Sequence, residues 1–450
     1  MANLYRKALP ALLAFMLLTV CNNALATGGD IDLTFASNGI AIEAVDLVPS
    51  GGDSAVDTLI AGDGSIYQVG YGGVTGYGNK KPVVLKFTAQ GTLDASFGTQ
   101  GRLVLPNTTE GNSSYGALLS NGNLLIATTE LDQNLQPMAV LRQYRPDGSI
   151  DSAAFGGAGV TSLSTLPSGQ IAYINDVAVD SKGNIIVAGN SLSGSGGGLQ
   201  LLVARLLPNG NLDPSFAGGV RQSSPNPQFH THLAAIRILD NDDIVVGGST
   251  YTSFGDTDFV LWKIGKNGSD DSSFGNAGFK VIWFDINGIH DDHLADLELR
   301  NDGSIMAVGQ ADPGNGTSRI VATLLSASGQ IITSFGNQNP SNGRFSLGFT
   351  AGDQINQATR VVGRSDGSMV IALAVSSDSG RDFAALQFNP QGYLDTNFGL
   401  FGFRHYPYNY GTGYELPTSM AIDSQGRVLL GGLAGYGGTD YDFMLLRINP

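Results

Sequence analysis

A short motif that returns seven times at nearly constant spacing constrains the fold of this chain more than any other feature. Its clearest copy is GNLDPSFAGG from Gly210, in which a turn is followed by Leu-Asp-x-Ser-Phe and closing glycines. We call this motif the hook. The other copies begin at Gly29, Gly91, Gly148, Gly268, Gly329 and Gly392. The hooks repeat every 57 to 63 residues, a period that is too long for most helical repeats and fits a blade of four β-strands.

Each repeat also contains apolar runs of strand length between turn residues. In the third repeat these runs cover residues 174–179, 184–188 and 201–207, and a fourth begins after the hook at Gly219. They are about 5 to 7 residues long and have no helical period, as expected for β-strands. The second run is apolar on both faces, which is typical of a strand covered on both sides. The repeat therefore predicts a four-stranded antiparallel blade packed between two others.

The number of repeats predicts how the blades are arranged. Seven hooks with nothing left over suit a closed ring, because propellers usually have four to eight blades, whereas an open solenoid needs polar caps that neither end shows. The chain starts with a hook and a fourth-strand run, and it stops at a third-strand run. We therefore expect Ile40 to Val45 to pair with Phe443 to Ile448 and complete the last blade. The predicted fold is all-β, a single seven-bladed β-propeller of four-stranded antiparallel blades over residues 27–450.

The hook residues have a structural role in this prediction. Their aspartate is expected to cap main-chain amides of the turn, and their phenylalanine to fill the space between sheets, each buried ring contributing about 2 to 3 kcal/mol. The hook from Ile331 to Phe335 lacks the aspartate, and the hook of Phe155 has one extra residue. We expect these two turns to be less regular. Calcium binding by the hook aspartates is the alternative, but one carboxylate per turn provides too few oxygens.

Two motifs at a fixed spacing give the sequence a family likeness. D-G-x-I-x-V-x-G, an apolar A-x-L-x-x-x-G run and L-D-x-S-F-G-x-x-G follow one another through residues 29–450. In these motifs the chain resembles the delta-60 repeat family. The resemblance implies a β-propeller-like fold in exported bacterial proteins, often large surface or secreted ones, and it brings no catalytic residue to this sequence.

Residues 1–26 are typical of a secretory signal peptide. An apolar run follows Arg6 and Lys7, and the segment ends in a small-x-small cleavage site before Thr27. Cys21, the one cysteine, leaves a lipoprotein as the alternative, although the valine before it is a poor lipobox residue. No later stretch approaches about 18 continuous apolar residues. We expect a protein that is exported to the periplasm or outside the cell, without a membrane span and without disulfides.

Composition limits the classes of partner. The 63 glycines and the short apolar runs indicate an all-β protein with many turns, whereas a disordered chain would be less hydrophobic. The formal net charge is −15, and it becomes −17 when Arg6 and Lys7 leave with the signal peptide. Nucleic acid and anionic lipid are poor partners for such a chain. We expect a protein or a glycan partner at the cell exterior, and the sequence indicates no oligomeric state.

The sequence lacks the common catalytic motifs. It contains no G-x-S-x-G, no H-E-x-x-H and no phosphate-binding loop, and the expected mature chain has no cysteine nucleophile. We therefore favour a non-catalytic binding or interaction scaffold over an enzyme. The alternative is a hydrolase or lyase that acts on an extracellular polymer at one mouth of the channel.

Tyrosines between Phe401 and Tyr414 form a second candidate binding feature. They could stack on sugars or contact a protein, but we favour packing along the sixth blade.

Irregular polar residues concentrate at the entrance of the first strands. Aligning these strands on the turn that follows them puts one residue of each repeat in a single column, the entrance column: Ser54, Asn112, Tyr173, His232, His293, Gln357 and Leu416. First strands line the channel of a propeller, so four of the five histidines fall at one mouth. The candidate ligand-binding residues are His230, His232, His290, Asp291, Asp292, His293, Asp176, Asp296 and Arg360.

His232 and His293 are also candidate metal ligands, because they occupy equivalent positions on neighbouring blades. Imidazole with carboxylate is a ligand set for zinc or another transition metal. Packed sheets are about 10 Å apart and metal–nitrogen bonds are about 2 Å long, so both rings would have to lean together. The alternative is a solvated loop in which the histidines bond to neighbouring carboxylates. No other cofactor is indicated.

Overall fold

The computed structural model describes most of the chain after the expected signal peptide. It covers residues 28–450 except 48–50, 75–80, 106–113, 164–168, 194–196, 253–254, 287, 289–290, 315–316, 337–341, 349–356, 378–379, 409–412 and 438–439. The predicted signal peptide, Cys21 and His290 lie outside the described residues. Within them are 28 β-strands and one 3-10 helix, Ala217–Gly219, and no helix there is long and apolar enough to cross a membrane.

The strands form seven four-stranded antiparallel sheets, the blades of a propeller. Blade 1 contains β2 to β5: Gly52–Ile60, Ile66–Val74, Lys81–Phe87 and Arg102–Val104. Blade 2 contains β6 to β9: Ser114–Leu118, Leu124–Leu131, Pro137–Tyr144 and Val160–Leu163. Blade 3 contains β10 to β13: Gly169–Val179, Ile185–Ser193, Leu199–Leu206 and Val220–Ser223. Blade 4 contains β14 to β17: Thr231–Ile238, Ile244–Tyr251, Thr257–Ile264 and Phe279–Ile282.

The remaining blades follow the same order along the chain, except at the end. Blade 5 contains β18 to β21: Asp292–Leu299, Ile305–Ala311, Arg319–Leu325 and Arg344–Leu347. Blade 6 contains β22 to β25: Gln357–Gly363, Met369–Ser377, Gly380–Phe388 and Phe403–Tyr406. Blade 7 contains β26 to β28 and, as its outer strand, β1: Glu415–Ile422, Val428–Gly437, Asp440–Ile448 and Ile40–Glu43.

The N-terminal strand closes the ring, and this confirms the predicted pairing. β1 lies antiparallel to β28, with Glu43 opposite Phe443. The strand ends two residues earlier than expected, because the N–H of Val45 donates instead to the carboxylate of Asp53 in blade 1 (2.7 Å). The seven first strands contact one another in a complete circle, from β2 through β26 and back to β2. The fold is the predicted all-β seven-bladed propeller.

The hook of blade 1 shows how a hook clamps its blade to the next one. Oδ1 of Asp94 accepts the N–H of Ser96 (3.0 Å) and its hydroxyl (2.6 Å), which confirms the predicted cap. The other carboxylate oxygen pairs with Nζ of Lys86 at the end of β4 (2.9 Å). Lys86 also donates to the carbonyl of Pro146 in blade 2 (3.0 Å). The hook therefore joins two blades as well as closing its own turn.

The hook phenylalanines are buried, as predicted. The ring of Phe35 lies against Gly91 of the next blade, 2.6 Å from where a Cβ on that residue would be. Five hooks also donate the N–H after their phenylalanine to a carbonyl in the next turn: Ala36 to Gln90, Gly98 to Asp147, Ala217 to Asn267, Gly275 to Ser328 and Gly399 to Gly28. Among the described residues, Gly156 and Gly336 make no such bond. They belong to the two hooks that the sequence predicts to be less regular.

The tyrosines near the outer strand of blade 6 divide between core and surface. Tyr406 is buried, and its hydroxyl donates to a main-chain carbonyl (2.8 Å). Tyr414 packs against Tyr441 with ring centroids 5.7 Å apart. Tyr408 is exposed, and Tyr410 lies outside the described residues. Packing therefore accounts for Tyr406 and Tyr414.

Candidate functional site at the channel and its mouth

A bulge in the first strand directs one side chain of the blade into the channel. In blade 5 the pairing register shifts between Leu294 and Asp296, and such a bulge re-aims the side chain that follows it. The facing residue must be small, because a Cβ on Gly309 would lie 2.0 Å from the carbonyl oxygen of His293. The same close approach to the first strand occurs at Gly70, Gly189, Gly248 and Gly432. The bulge therefore explains the glycine that ends the second apolar run in these repeats.

Three aspartates on the first strands of alternate blades line a channel cavity of about 290 Å³. Each accepts a main-chain N–H from the next blade: Asp57 from Gly116 (2.9 Å), Asp176 from Ile236 (2.9 Å) and Asp296 from Val361 (3.0 Å). These bonds join blades 1 to 2, 3 to 4 and 5 to 6 inside the ring. The channel aspartates are therefore part of the scaffold.

A charge network crosses the same cavity. Arg237 donates from Nη2 to Asp296 (2.9 Å) and from Nε to Glu298 (3.1 Å). Burial, together with the negative charge of Asp57, raises the pKa of Asp176 to about 7. A carboxyl group that titrates near neutral pH occurs at functional sites and also in structural ion networks. The bonds to main-chain amides favour the structural role here.

The mouth is a second cavity, of about 320 Å³, at the entrance end of the first strands. Its polar lining consists of His293, Gln310, Gln357, Thr359, Arg360 and Thr418. Arg360 lines both cavities. Its guanidinium donates to the carbonyls of Thr359 (2.8 Å) and Val56 (3.4 Å). A cation therefore lies between the channel carboxylates and the mouth.

Four aromatic and imidazole side chains form a strip on the mouth side of blades 3 and 4, the ring strip: Tyr173, His232, His230 and Tyr251. The Tyr173 hydroxyl lies 2.9 Å from Nδ1 of His232. His230 stacks on His232 with centroids 6.2 Å apart and meets Tyr251 edge to face at 6.4 Å. The N–H of Leu199 holds His230 by donating to its Nδ1 (3.0 Å). His230, His232 and Tyr251 are exposed, so the strip presents rings to solvent.

The surroundings of His232 favour the neutral form of its imidazole. The ring is exposed at its edge and partly desolvated, and this partial burial lowers the pKa of His232; the nearby His230 and His293 lower it further. A neutral imidazole can accept a proton or bind a metal. Among the described residues, no group of three or more His, Cys, Asp or Glu side chains is placed to hold a metal ion. Because His290 lies outside the described residues, the metal site at His232 and His293 stays a prediction.

The predicted candidates do not all lie together. His293 and Arg360 line the mouth, Asp176, Asp296 and Arg360 line the channel cavity, and His230 and His232 belong to the ring strip. Asp292 is fully buried and accepts the N–H of Phe284 (2.6 Å). Asp291 interacts electrostatically with Asp258 on β16. Neighbouring residues of a strand point to opposite faces. The side chain of His293 therefore lines the mouth, whereas that of Asp292 is buried.

The sequence-based search missed four polar or aromatic residues of this region: Arg237, Glu298, Gln310 and Tyr251. Arg237 and Glu298 lie five residues after His232 and His293 of the entrance column. Glu298 is two residues beyond the channel residue Asp296, so strand alternation puts both on the channel face. Extending the alignment of the first strands by two more residues, one period of a β-strand, would have found Arg237 and Glu298. Gln310 is on a second strand, opposite His293. That placement depends on the cross-strand register, which the bulge shifts.

Comparisons with known proteins agree with the observed architecture. The sequence matches the profile of a family described as a domain of unknown function (DUF5122) beta-propeller over residues 183–216 and 241–274. These segments run from the second strand to the hook in blades 3 and 4. No curated protein matches the sequence.

Several solved structures resemble this chain in fold. Polysaccharide lyase Uly1 has 9% sequence identity and a TM-score of 0.50, with 88% of this chain and 90% of that chain covered. A protein of unknown function from Dyadobacter fermentans has 12% identity and a TM-score of 0.45, covering 91% and 99%. A PL25 ulvan lyase has 10% identity and a TM-score of 0.44, covering 94% and 95%. With its seven four-stranded blades the chain is a β-propeller, and two of its repeats are similar to the DUF5122 beta-propeller family.

Proposed function

We propose that this chain is an exported propeller of delta-60 repeats that binds an oligosaccharide at its mouth without transforming it. The observation that carries the proposal is the mouth cavity of about 320 Å³, whose polar side chains differ from blade to blade. In the hook and in the channel, by contrast, protein donors hold the carboxylates. Thr359, Arg360 and Thr418 also donate to main-chain carbonyls of the scaffold. The side chains that differ from blade to blade are the ones that can adapt to a ligand.

The mouth and the ring strip, whose His232 interacts with His293 of the mouth, together offer groups that suit a sugar ligand. The exposed rings of the ring strip can stack on the apolar faces of sugar rings. Gln310 and Gln357 carry amides that both donate and accept hydrogen bonds, as a ligand rich in hydroxyl groups requires. Arg360 can pair with a carboxylate. We therefore favour an oligosaccharide with uronic acid units over a neutral sugar or a protein.

Calorimetric titration of residues 27–450 with neutral and uronate-containing oligosaccharides tests this proposal. We expect the uronate chains to bind, and Tyr251→Ala to weaken binding about fivefold, since a lost ring contact costs about 1 kcal/mol. Tyr393→Ala is the matched control, because Tyr393 is a similarly exposed tyrosine in a turn at the hook end of blade 6. Equal binding by the two variants would contradict the proposal, and so would capture of a protein with no sugar bound.

A hydrolase or lyase that acts on an extracellular polymer is the second candidate, and one observation favours it. The Tyr173 hydroxyl and Nδ1 of His232 are 2.9 Å apart, and the lowered pKa of His232 leaves its imidazole able to take a proton. Incubation with uronate polymers, followed by ultraviolet absorbance of an unsaturated product and by a reducing-end assay, separates the two functions. Turnover that Tyr173→Phe abolishes would favour the enzyme, whereas binding without product favours the scaffold.

A further inference from the structure

Two buried carboxylates interact between blades 4 and 5 with too few partners. Asp258 on β16 is 6% exposed, and Asp292 at the start of β18 is 0% exposed. Oδ1 of each has no hydrogen-bond partner among the described residues. Oδ2 of Asp292 accepts the N–H of Phe284 (2.6 Å). Burial raises the pKa of both to about 7, and for Asp292 the charge of Asp258 contributes to the shift.

More negative charge surrounds this pair. Three further carboxylates interact electrostatically with Asp258: Asp256, Asp285 and Asp291. A guanidinium, that of Arg344, interacts with Asp292, and its Nε donates to the carbonyl of Trp283 (2.8 Å). In the described part of the chain, the interface thus has five interacting carboxylates and one guanidinium, that of Arg344. Buried carboxylates without a compensating charge are strongly unfavourable.

At the equivalent interface between blades 7 and 1, the buried carboxylate has a hydrogen-bond donor for each of its oxygens. Asp53 at the start of β2 interacts with Asp442 on β28, as Asp292 does with Asp258. Both oxygens of Asp53 have protein donors, because Oδ2 accepts the N–H of Val45 (2.7 Å) and Oδ1 that of Gly73 (2.8 Å). Between blades 4 and 5 the main-chain N–H groups of Phe284 and Asp285 both act on Asp292, but no described residue donates to Oδ1 of Asp258 or of Asp292.

We propose that Asp258 and Asp292 bind a Ca²⁺ ion between blades 4 and 5. The donors are all oxygens, which calcium prefers, and two carboxylates can supply up to about four of its roughly 6 to 8 ligands. Within the described chain no three such side chains form a metal-binding group, so main-chain oxygens and water complete the shell. The ion supplies the positive charge that the two unpartnered oxygens lack. This site is separate from the mouth and does not depend on the proposed sugar binding.

Terbium luminescence tests the site, because one of the two tryptophans of the chain lies beside it. Trp283 precedes Phe284, whose N–H binds Asp292. Tb³⁺ in place of Ca²⁺ should give tryptophan-sensitised emission that calcium displaces. Trp283→Phe should lose most of this emission and keep the calcium-induced rise in melting temperature, which we expect to be about 3 °C or more at saturating Ca²⁺.

Asp258→Asn should lose the emission and need at least tenfold more calcium for the same rise in melting temperature. Asp442→Asn is the matched control at the equivalent position of blade 7, and it should change neither readout. The proposal is overturned if wild type shows no calcium-dependent shift, or if Asp258→Asn keeps full emission. The alternative is that the two carboxyl groups share a proton and bind no ion. The melting temperature should then depend on pH and not on calcium, and that result also overturns the proposal. The wild-type measurements decide the question alone if Asp258→Asn does not fold.

Discussion

The hook end and the mouth end of the blades hold their carboxylates in opposite ways. At the hook end, hydrogen bonds from Ser96 and Lys86 lower the pKa of Asp94 to about 2. At the mouth end, burial raises the pKa of Asp258 and Asp292 to about 7. The residue type is the same at both ends. The difference is that the hook motif includes the donors that its aspartate needs, whereas the mouth end has no such repeated partner.

This contrast separates the scaffold from the candidate sites. A carboxylate with a lowered pKa stabilises the folded state at neutral pH, and one with a raised pKa destabilises it. Proteins tolerate the second kind where a ligand or an ion uses it, and also in structural networks such as that of Asp176. We therefore expect substitutions at the hook end to reduce stability, and substitutions at the mouth end to change binding.

Removal of residues 27–47 is expected to have the largest effect. It deletes β1 and the first hook, so β28 becomes an unpaired edge and the ion pair between Arg447 and Asp32 (2.9 Å) is lost. We expect the melting temperature to fall by more than about 10 °C relative to residues 27–450. Circular dichroism during heating measures the change. Unchanged melting would contradict the role of β1 in closing the ring.

Phe216→Ala and Phe155→Ala compare a regular hook with an irregular one. Phe216 is fully buried, and its removal should destabilise the fold by about 3 to 5 kcal/mol. Phe155 is 9% exposed in a hook that lacks the N–H bond to the next blade, so its removal should cost less. Urea denaturation provides both values. Equal losses would mean that the irregular hook packs as well as the regular ones.

The pH dependence of stability sharpens the comparison further. The pKa values of Asp176, Asp258 and Asp292 are raised to about 7, so the stability that they contribute at low pH is lost as pH rises toward 7. Asp94 has a lowered pKa, so its contribution is lost as pH falls toward 2. In EDTA we expect the melting temperature to fall by several degrees between about pH 5 and pH 8.

Asp258→Asn should reduce that fall, because it removes one of the titrating groups. Asp240→Asn provides the control, since Asp240 is an exposed aspartate in a turn of blade 4. A melting temperature that rises from pH 5 to pH 8 in EDTA would show that the hook carboxylates dominate the whole range.

Replacement of both mouth histidines should change stability least. His232 and His293 are exposed, so the double variant His232→Ala, His293→Ala should melt within about 1 °C of wild type. If these rings bind zinc, a zinc titration should show binding by wild type that the double variant loses. Equal and weak zinc binding by both proteins would dispose of this metal site.

Much of the fold was predictable because its causes are local and repeated. The hook supplies its own cap, and the order of hooks and strands fixes how β1 completes blade 7. The end of β1 was not predictable, because it depends on Asp53, a residue of another blade that takes the N–H of Val45. The ion pair between Asp94 and Lys86 was missed although a sequence signal exists. The position of Lys86 holds a lysine, arginine or glutamine in every repeat whose hook has an aspartate.

The candidate site was predictable only in outline. Alignment of the first strands identified the entrance column, and the structure brings His232 and His293 to one end of the channel, where the proximity of His293 lowers the pKa of His232. Asp292 follows the opposite face of its strand, and its surroundings come from β16 and from the loop of Phe284. Such contacts join residues of different blades, and a pattern read within one repeat contains no information about them.

The pairing of β1 with β28 also has a consequence for the route to the folded state. These strands come from opposite ends of the sequence, and joining them closes a very long loop whose entropy must be lost before the contact forms. The seventh blade should therefore form last. Until then Ile40 and Ile42 belong to an unpaired strand that can meet the open edge of a second molecule. Dilute refolding should favour the closed monomer, and concentrated refolding should yield exchanged dimers in which each chain completes the last blade of the other.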